Sequence, residues 1–189
     1  MKDQIKMIVF VIIMGIIAAA ILVGTDNFTS ATISDNKEYA LKTNILEAFE
    51  ISYKVDEVLK VYDETIREET KGGYLIYYTK EGNAGFEFEG RGLWGPIRGF
   101  LTLQPDYVTI KGIQITYNEE TPGLGGVVAE RWYLDKYKGK KFDPEIIIKK
   151  DANMTSDVEV DAITGATATS SSFQLMLNKT YQEKKGVLE

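Results

Sequence analysis

Asp161-Ala162-Ile163-Thr164-Gly165-Ala166-Thr167-Ala168-Thr169-Ser170 sets three threonines and a glycine within the six residues from 164 to 169. Ser171 and Ser172 prolong the polar run, and an apolar-periodic segment follows from Phe173 to Tyr181. Ser171 and Gln174, three positions apart, have the spacing of a capping box, which predicts a helix starting there. The first backbone N–H groups of such a helix lack internal partners and favour an anion. A glycine, an alanine and several hydroxyls just ahead of it would let a phosphate come close. The same residues also read as a turn followed by a capped C-terminal helix, and nothing local separates the two readings.

Upstream, the residue pattern changes from helical to alternating. Lys37 to Glu50 is rich in helix formers, with Leu41, Ile45, Leu46 and Phe49 on one face, and Val55 to Ile66 gives a second helix with Val58, Leu59 and Tyr62 aligned. After Gly72-Gly73, Tyr74–Thr79 reads as a strand, Glu81-Gly82-Asn83 as a turn and Gly85–Glu89 as the return strand. Ile97–Leu103 and Val108–Tyr117 predict two more strands, turning at Pro105-Asp106. Val127–Tyr137 returns to helical spacing, with Val128, Trp132 and Tyr133 inward, and Pro144–Lys149 is β-branched and strand-like. The expected fold class is α+β, a mainly antiparallel sheet with flanking helices.

Two loops between these elements stand out. Glu120-Thr121-Pro122-Gly123-Leu124-Gly125-Gly126 joins a strand to a helix; it reads as a Pro-Gly turn, or as a loop whose small residues let the backbone pass close to a flat ring. Gly90-Arg91-Gly92-Leu93-Trp94-Gly95-Pro96 carries a Leu-Trp pair, which is costly in a loop unless it covers something apolar. Capping the sheet would serve equally well. Arg91 and Arg98 read as solvated arginines, either of which could offset a phosphate charge.

Composition excludes several chemistries. The chain has no cysteine, so it supplies no thiolate to an iron–sulfur cluster and forms no disulfide. It has no histidine, which removes the commonest metal ligand and neutral-pH base and rules out a Ser-His-Asp hydrolase. The net charge of −6, with no basic stripe, argues against a nucleic-acid partner. If this protein moves electrons, an organic cofactor must hold them. No metal site and no independent catalytic centre are expected, and the chain offers no evident base for Thr169.

Met7–Gly24 is an uncharged apolar run of 18 residues, near the lower limit of about 20 for a membrane-spanning helix. A cleaved signal peptide competes with that reading, because Ala18-Ala19-Ala20 resembles a cleavage site. Four more apolar or small residues follow the triplet, which favours an uncleaved anchor. Lys2, Lys6 and the free N-terminus precede the run and Asp26 is the first charge after it, so the positive-inside bias sends the domain out of the cytoplasm. The expected division is 1–24 anchor, 25–36 polar spacer and 37–189 domain.

Asp161-x-x-Thr164-Gly165-Ala166-Thr167-x-Thr169 resembles the flavinylation motif of FMN-binding domains, in which the last threonine carries FMN through a phosphoester. The Glu120–Gly126 and Gly90–Pro96 segments are also similar to that family, as found in the C subunit of sodium-translocating NADH:quinone reductases and the G subunit of Rnf-type complexes. The Gly-Leu-Trp element leans toward the former, and the likeness extends over nearly the whole chain. The resemblance implies FMN covalently held on Thr169. It further implies flavin contacts from Asp161, Thr164, Gly165, Ala166, Thr167, Glu120, Thr121, Gly123, Leu124, Gly125, Leu93 and Trp94, with Leu124 packing on the ring and Thr121 and nearby amides facing its pyrimidine edge. Asp161 and Thr167 would orient the threonine loop through backbone amides. A separate Mg²⁺-dependent flavin transferase using FAD would attach the group, and the partners would be other membrane subunits of an ion-pumping redox complex in the bacterial inner membrane. The rivals are a stand-alone anchored FMN domain serving another extracytoplasmic reductase or regulator, and a non-redox anchored binding module.

Mass spectrometry of the purified protein is expected to find Met7–Gly24 retained. A mature N-terminus near Ile21 or Thr25 overturns the anchor.

Overall fold

The computed structural model describes residues 2–153 and 155–188, in two compact units divided between Leu41 and Lys42. The first is helical and belongs to α1 (Lys2–Ala48), which is long and apolar enough to cross a membrane by length and composition. Its best 18-residue window has a mean hydropathy of 3.0 and none of that window is buried. Residues 25–36, expected as a spacer, are helical as well. No proline or glycine interrupts the ladder from Thr25 to Ala48. The Thr25 and Thr29 hydroxyls turn back onto the carbonyls of Ile21 and Thr25 at 2.8 and 2.9 Å, satisfying themselves within the helix. The N-terminal amine counted in the basic flank belongs to Met1, outside the described residues.

The second unit is built on a five-stranded antiparallel meander: β1 (Ile66–Lys71), β2 (Tyr74–Thr79), β3 (Ala84–Arg91), β4 (Pro96–Leu103) and β5 (Ile110–Tyr117), each beside its sequence neighbour. This is the expected antiparallel α+β architecture. One face carries Ile76, Phe86, Phe88, Leu101 and Ile113 into the main core, against α4 (Thr167–Leu188) and the short helical turns after β5. Phe173 of α4 meets Phe88 at 6.0 Å between ring centroids. On the other face Tyr77 packs edge-on to Phe100 at 5.7 Å. There the Thr102 hydroxyl donates to the Ala48 carbonyl at 2.7 Å, giving the end of α1 one of the donor partners that its last carbonyls lack.

Several boundaries differ from the sequence expectation. The second helix is a 3-10 turn (Val55–Glu57) leading into α2 (Val58–Thr65), and Ile66 already opens β1, a charged edge strand with no alternating apolar face. Val58 and Tyr62 are buried as expected, whereas Leu41 and Leu59 are exposed. The Val127–Tyr137 helix is broken into a 3-10 turn (Gly125–Ala129), α3 (Arg131–Leu134) and a further 3-10 turn (Asp135–Tyr137). Glu130 is extended there, and its carbonyl takes the N–H groups of Tyr133 and Leu134. The helical phase restarts at that point, leaving Val128 and Tyr133 buried and Trp132 exposed.

β6 (Ile147–Lys149) pairs in parallel with β7 (Glu159–Asp161), a strand the sequence did not suggest. The N–H groups of Ile146 and Ile148 instead meet side chains of α4, Asn178 Oδ1 at 2.9 Å and Gln174 Oε1 at 2.6 Å. Asn178 also donates Nδ2 to the Ile146 carbonyl at 2.8 Å. Gln174 therefore serves the strand, not a capping box, and α4 begins at Thr167 rather than after Ser171. Thr169 thus lies inside the first turn of the helix instead of ahead of it.

Asn178→Leu keeps the branched shape but orphans two buried backbone groups, at about 1–3 kcal/mol each. Denaturant unfolding of the full chain is expected to show that loss, and Asn178→Gln a smaller one.

Candidate functional site

Three connections meet at one end of the sheet: the β3–β4 turn, the segment after β5 and the β7–α4 junction. Each is shaped by local constraints. In the β3–β4 turn the Gly92 N–H donates to the Gly95 carbonyl at 2.8 Å, leaving Leu93 and Trp94 at the tip, 50% and 70% exposed. After β5, the Thr121 carbonyl accepts the N–H groups of Leu124 and Gly126 at 3.1 and 2.9 Å. Those two amides are thus turned into the loop. At the third connection Gly165 has φ +78°, a left-handed conformation natural to glycine, and the Ala166 N–H closes onto the Ile163 carbonyl. The Ser170 hydroxyl accepts from the Ile163 N–H at 2.9 Å and donates to the Ala166 carbonyl at 3.0 Å, pinning the threonine stretch to α4.

Glu120 ties the three together. Its Oε1 accepts the Trp94 N–H at 2.9 Å, and its Oε2 accepts the Thr169 hydroxyl at 2.6 Å. Its own N–H donates to Asn118 Oδ1 at 3.1 Å. The carboxylate is 5% exposed and Thr169 is fully buried. A buried carboxylate is tolerable where donors converge on it, and the short O–H···O contact is the length expected of a charge-assisted bond. The sequence was expected to offer no base for Thr169, and the structure sets a carboxylate acceptor against its hydroxyl. The acceptor is Glu120, 49 residues away in sequence, at a separation that local pattern reading does not reach.

Glycines make room for that carboxylate. A Cβ on Gly92 would collide with Glu120 Oε1 and lie 2.9 Å from Ile97 Cδ1; one on Gly125 would collide with Glu120 Oε2 and lie 2.6 Å from the Thr169 hydroxyl. Leu124, 46% exposed, lies over Gly165, where an added Cβ would be 3.3 Å from its Cδ2. Gly123 is exposed with φ +74°.

The remaining expected residues are distributed unevenly. Thr164, Gly165 and Thr167 are exposed, Ala166 is buried, and Thr121 is exposed in its turn. Asp161 does not bond the amides of its own stretch: its Oδ1 accepts the Ala152 N–H at 2.9 Å, and Oδ2 is 3.8 Å from Lys136 Nζ. Thr167 opens α4 with its side chain at the surface. Arg98 pairs with Glu89 at 3.0 Å, and its guanidinium lies over Tyr117. Missed from sequence was a cavity of about 470 Å³ beside the threonine stretch, lined by Gly123, Trp132, Lys136, Lys150, Asp161 and Thr164 among others. Lys136 lies over the Trp132 ring at 5.3 Å. Below it, Tyr137 donates to the Tyr133 hydroxyl at 3.0 Å, and burial pushes the Tyr133 phenol up to about 12, so it remains protonated.

Residues 92–182, which contain all three connections, match the family model of the FMN-binding domain. The likeness is to that family. The chain is 33% identical over 127 residues to the C subunit of the Na(+)-translocating NADH-quinone reductase of Neisseria meningitidis serogroup B, covering 61% of this chain and 49% of that one. To its counterpart in Pasteurella multocida it is 38% identical over 88 residues, 44% of this chain and 34% of that one. The chain thus spans about half, or less, of the length of these curated relatives. The crystal structure of the corresponding reductase component from Parabacteroides distasonis has the same fold, with a TM-score of 0.74 at 22% identity over 84% of this chain and 96% of that one. Shewanella oneidensis NqrC follows with 0.65 at 19% identity, over 75% and 90%.

Gly92→Ala is expected to lower stability by about 1–3 kcal/mol, because its methyl must displace either the Glu120 carboxylate or Ile97. Urea unfolding of the full chain checks this, and an unchanged midpoint denies the crowding.

Proposed function

We propose that this chain is a membrane-anchored electron carrier holding FMN by a phosphoester to Thr169, as one subunit of an ion-translocating NADH:quinone reductase. The observation that carries the reading is the Thr169 hydroxyl, set in the first turn of α4 and held by Glu120, which also takes the Trp94 N–H of the β3–β4 turn. Relatives named as the C subunit of the Na(+)-translocating NADH-quinone reductase support the assignment to such a complex.

The residues present fit the group. Leu93, Trp94 and Leu124 are large apolar side chains exposed around a buried polar centre, the arrangement that suits a flat aromatic ring. The first turn of α4 offers unpartnered N–H groups and the positive end of its dipole to a phosphate on Thr169. Lys136 and Lys150, in the adjoining cavity with Thr164 and Asp161, add positive charge. Bound there, the flavin supplies reversible electron storage that no side chain of this protein can provide. The protein's own part is placement: glycines admit close approach, apolar side chains shield the ring, and the covalent link relieves the pocket of supplying all the binding energy.

The apolar stretch of α1 anchors the chain, and Lys2 and Lys6 on its N-terminal flank orient the flavin domain to the extracytoplasmic side of the inner membrane. A flavin lost from that side would be hard to replace, so covalent attachment suits the location. The other membrane subunits of the complex are its partners. A flavin transferase, with FAD as donor, is its partner during maturation.

Thr169→Ala, co-expressed with a flavin transferase, is expected to give a folded, colourless protein. In the wild type, FMN less one water should map to the peptide spanning Asp161 to Lys179. Covalent FMN on the Ala variant overturns the assignment, and a wild type that never acquires flavin beside an active transferase overturns the carrier reading.

A further inference from the structure

The attachment reading leaves open how one hydroxyl is chosen among three. Thr164, Thr167 and Thr169 lie within six residues, and all carry the same group. Their surroundings differ sharply. Thr164 and Thr167 are exposed, and among the described residues neither donates to a carboxylate. Thr169 is fully buried, with its hydroxyl on Glu120 Oε2 at 2.6 Å. Exposure alone would favour the wrong two.

A threonine hydroxyl is a weak nucleophile unless a base takes its proton as the new bond forms. The base must lie within hydrogen-bond reach of that proton before anything else about it matters. Histidine is absent from the chain, and Asp161 is engaged with the Ala152 N–H and Lys136. Glu120 meets the geometric requirement. Its second oxygen is held by the Trp94 N–H, which fixes the carboxylate plane while leaving Oε2 to the threonine. Gly125 is the contact that permits the pair, since a Cβ there would press on both Oε2 and the Thr169 hydroxyl.

Resting on the reading of Thr169 as the attachment point, we propose that Glu120 is the base for flavin attachment and that its carboxylate selects Thr169 over Thr164 and Thr167. In this step Thr169 Oγ1 bonds to the flavin-side phosphorus of a flavin dinucleotide, and its proton passes to Glu120 Oε2. The phosphoanhydride P–O bond breaks, and AMP leaves with the electron pair. Oxidation states do not change. Because Thr169 and Glu120 are buried while the transferase must reach the hydroxyl, the loops carrying Leu93, Trp94 and Leu124 open for the reaction.

The test follows attachment by intact mass over time, using the full chain in detergent with a flavin transferase, FAD and Mg²⁺. Glu120→Gln keeps the size of the side chain and an acceptor for the Trp94 N–H but cannot take a proton. It is expected to acquire flavin at least about 100-fold more slowly than wild type, as slowly as Glu120→Ala. A Gln variant that loads at the wild-type rate, or one much faster than Ala, overturns the proposal, since it would make Glu120 a positioning residue only. If thermal unfolding shows that the Gln variant does not fold, Gly125→Ala decides, because its methyl parts the two groups without changing either. Slow loading of a folded Gly125→Ala supports the proposal and wild-type loading overturns it. Failure of the underlying reading looks different: the wild type itself takes no flavin, or its flavin maps to Thr164 or Thr167.

Discussion

A carboxylate buried at the end of a sheet must be surrounded by donors, and that requirement organises this domain. Glu120 draws the Trp94 N–H from the β3–β4 turn and the Thr169 hydroxyl from α4, and so fixes the distance between them. The crowding around it explains why Gly92 and Gly125 carry no side chain. Without the pair of bonds, a charge in a dry site would lack compensation, at a cost of several kcal/mol. The three loops are therefore held together by a polar contact, while their large apolar side chains are turned outward.

That division of labour has a physical logic. A loop that buries its own Leu and Trp has nothing left with which to cover a ring. Here the backbone turns close on themselves, through Gly92 to Gly95 and through Thr121 to Leu124 and Gly126. The side chains of Leu93, Trp94 and Leu124 are left exposed. The helix beneath is fixed separately, by Phe173 against the sheet and by Ser170 against the Ile163 amide.

Sequence reading recovered what is local. The strand signal of β2, the alternation of β3, the Pro105-Asp106 turn and the apolar run of α1 all follow from residue order, because each answers to neighbours a few positions away. It missed β1, whose charged residues suit an edge strand but erase the alternation. It placed the start of α4 late, since Ser171 and Gln174 mimic a cap while Gln174 is spent on β6. It also put Trp132 inside, because Glu130 resets the helical phase without a proline or glycine to announce it. Of the site, the three glycine-bearing stretches were legible and their shared centre was not. Glu120 and Thr169 are brought together by the fold of the whole sheet, and no spacing rule records that.

The two amide side chains of α4 have an effect well beyond holding the helix in place. A short strand such as β6 ordinarily presents one bare edge, the template on which another chain adds a strand. Here one edge of β6 is paired with β7, while Asn178 and Gln174 occupy the other with the hydrogen bonds a third strand would make. Strand addition at that edge of β6 is thereby closed, to a second chain and to aggregation alike. Any recognition along that edge is left to side chains.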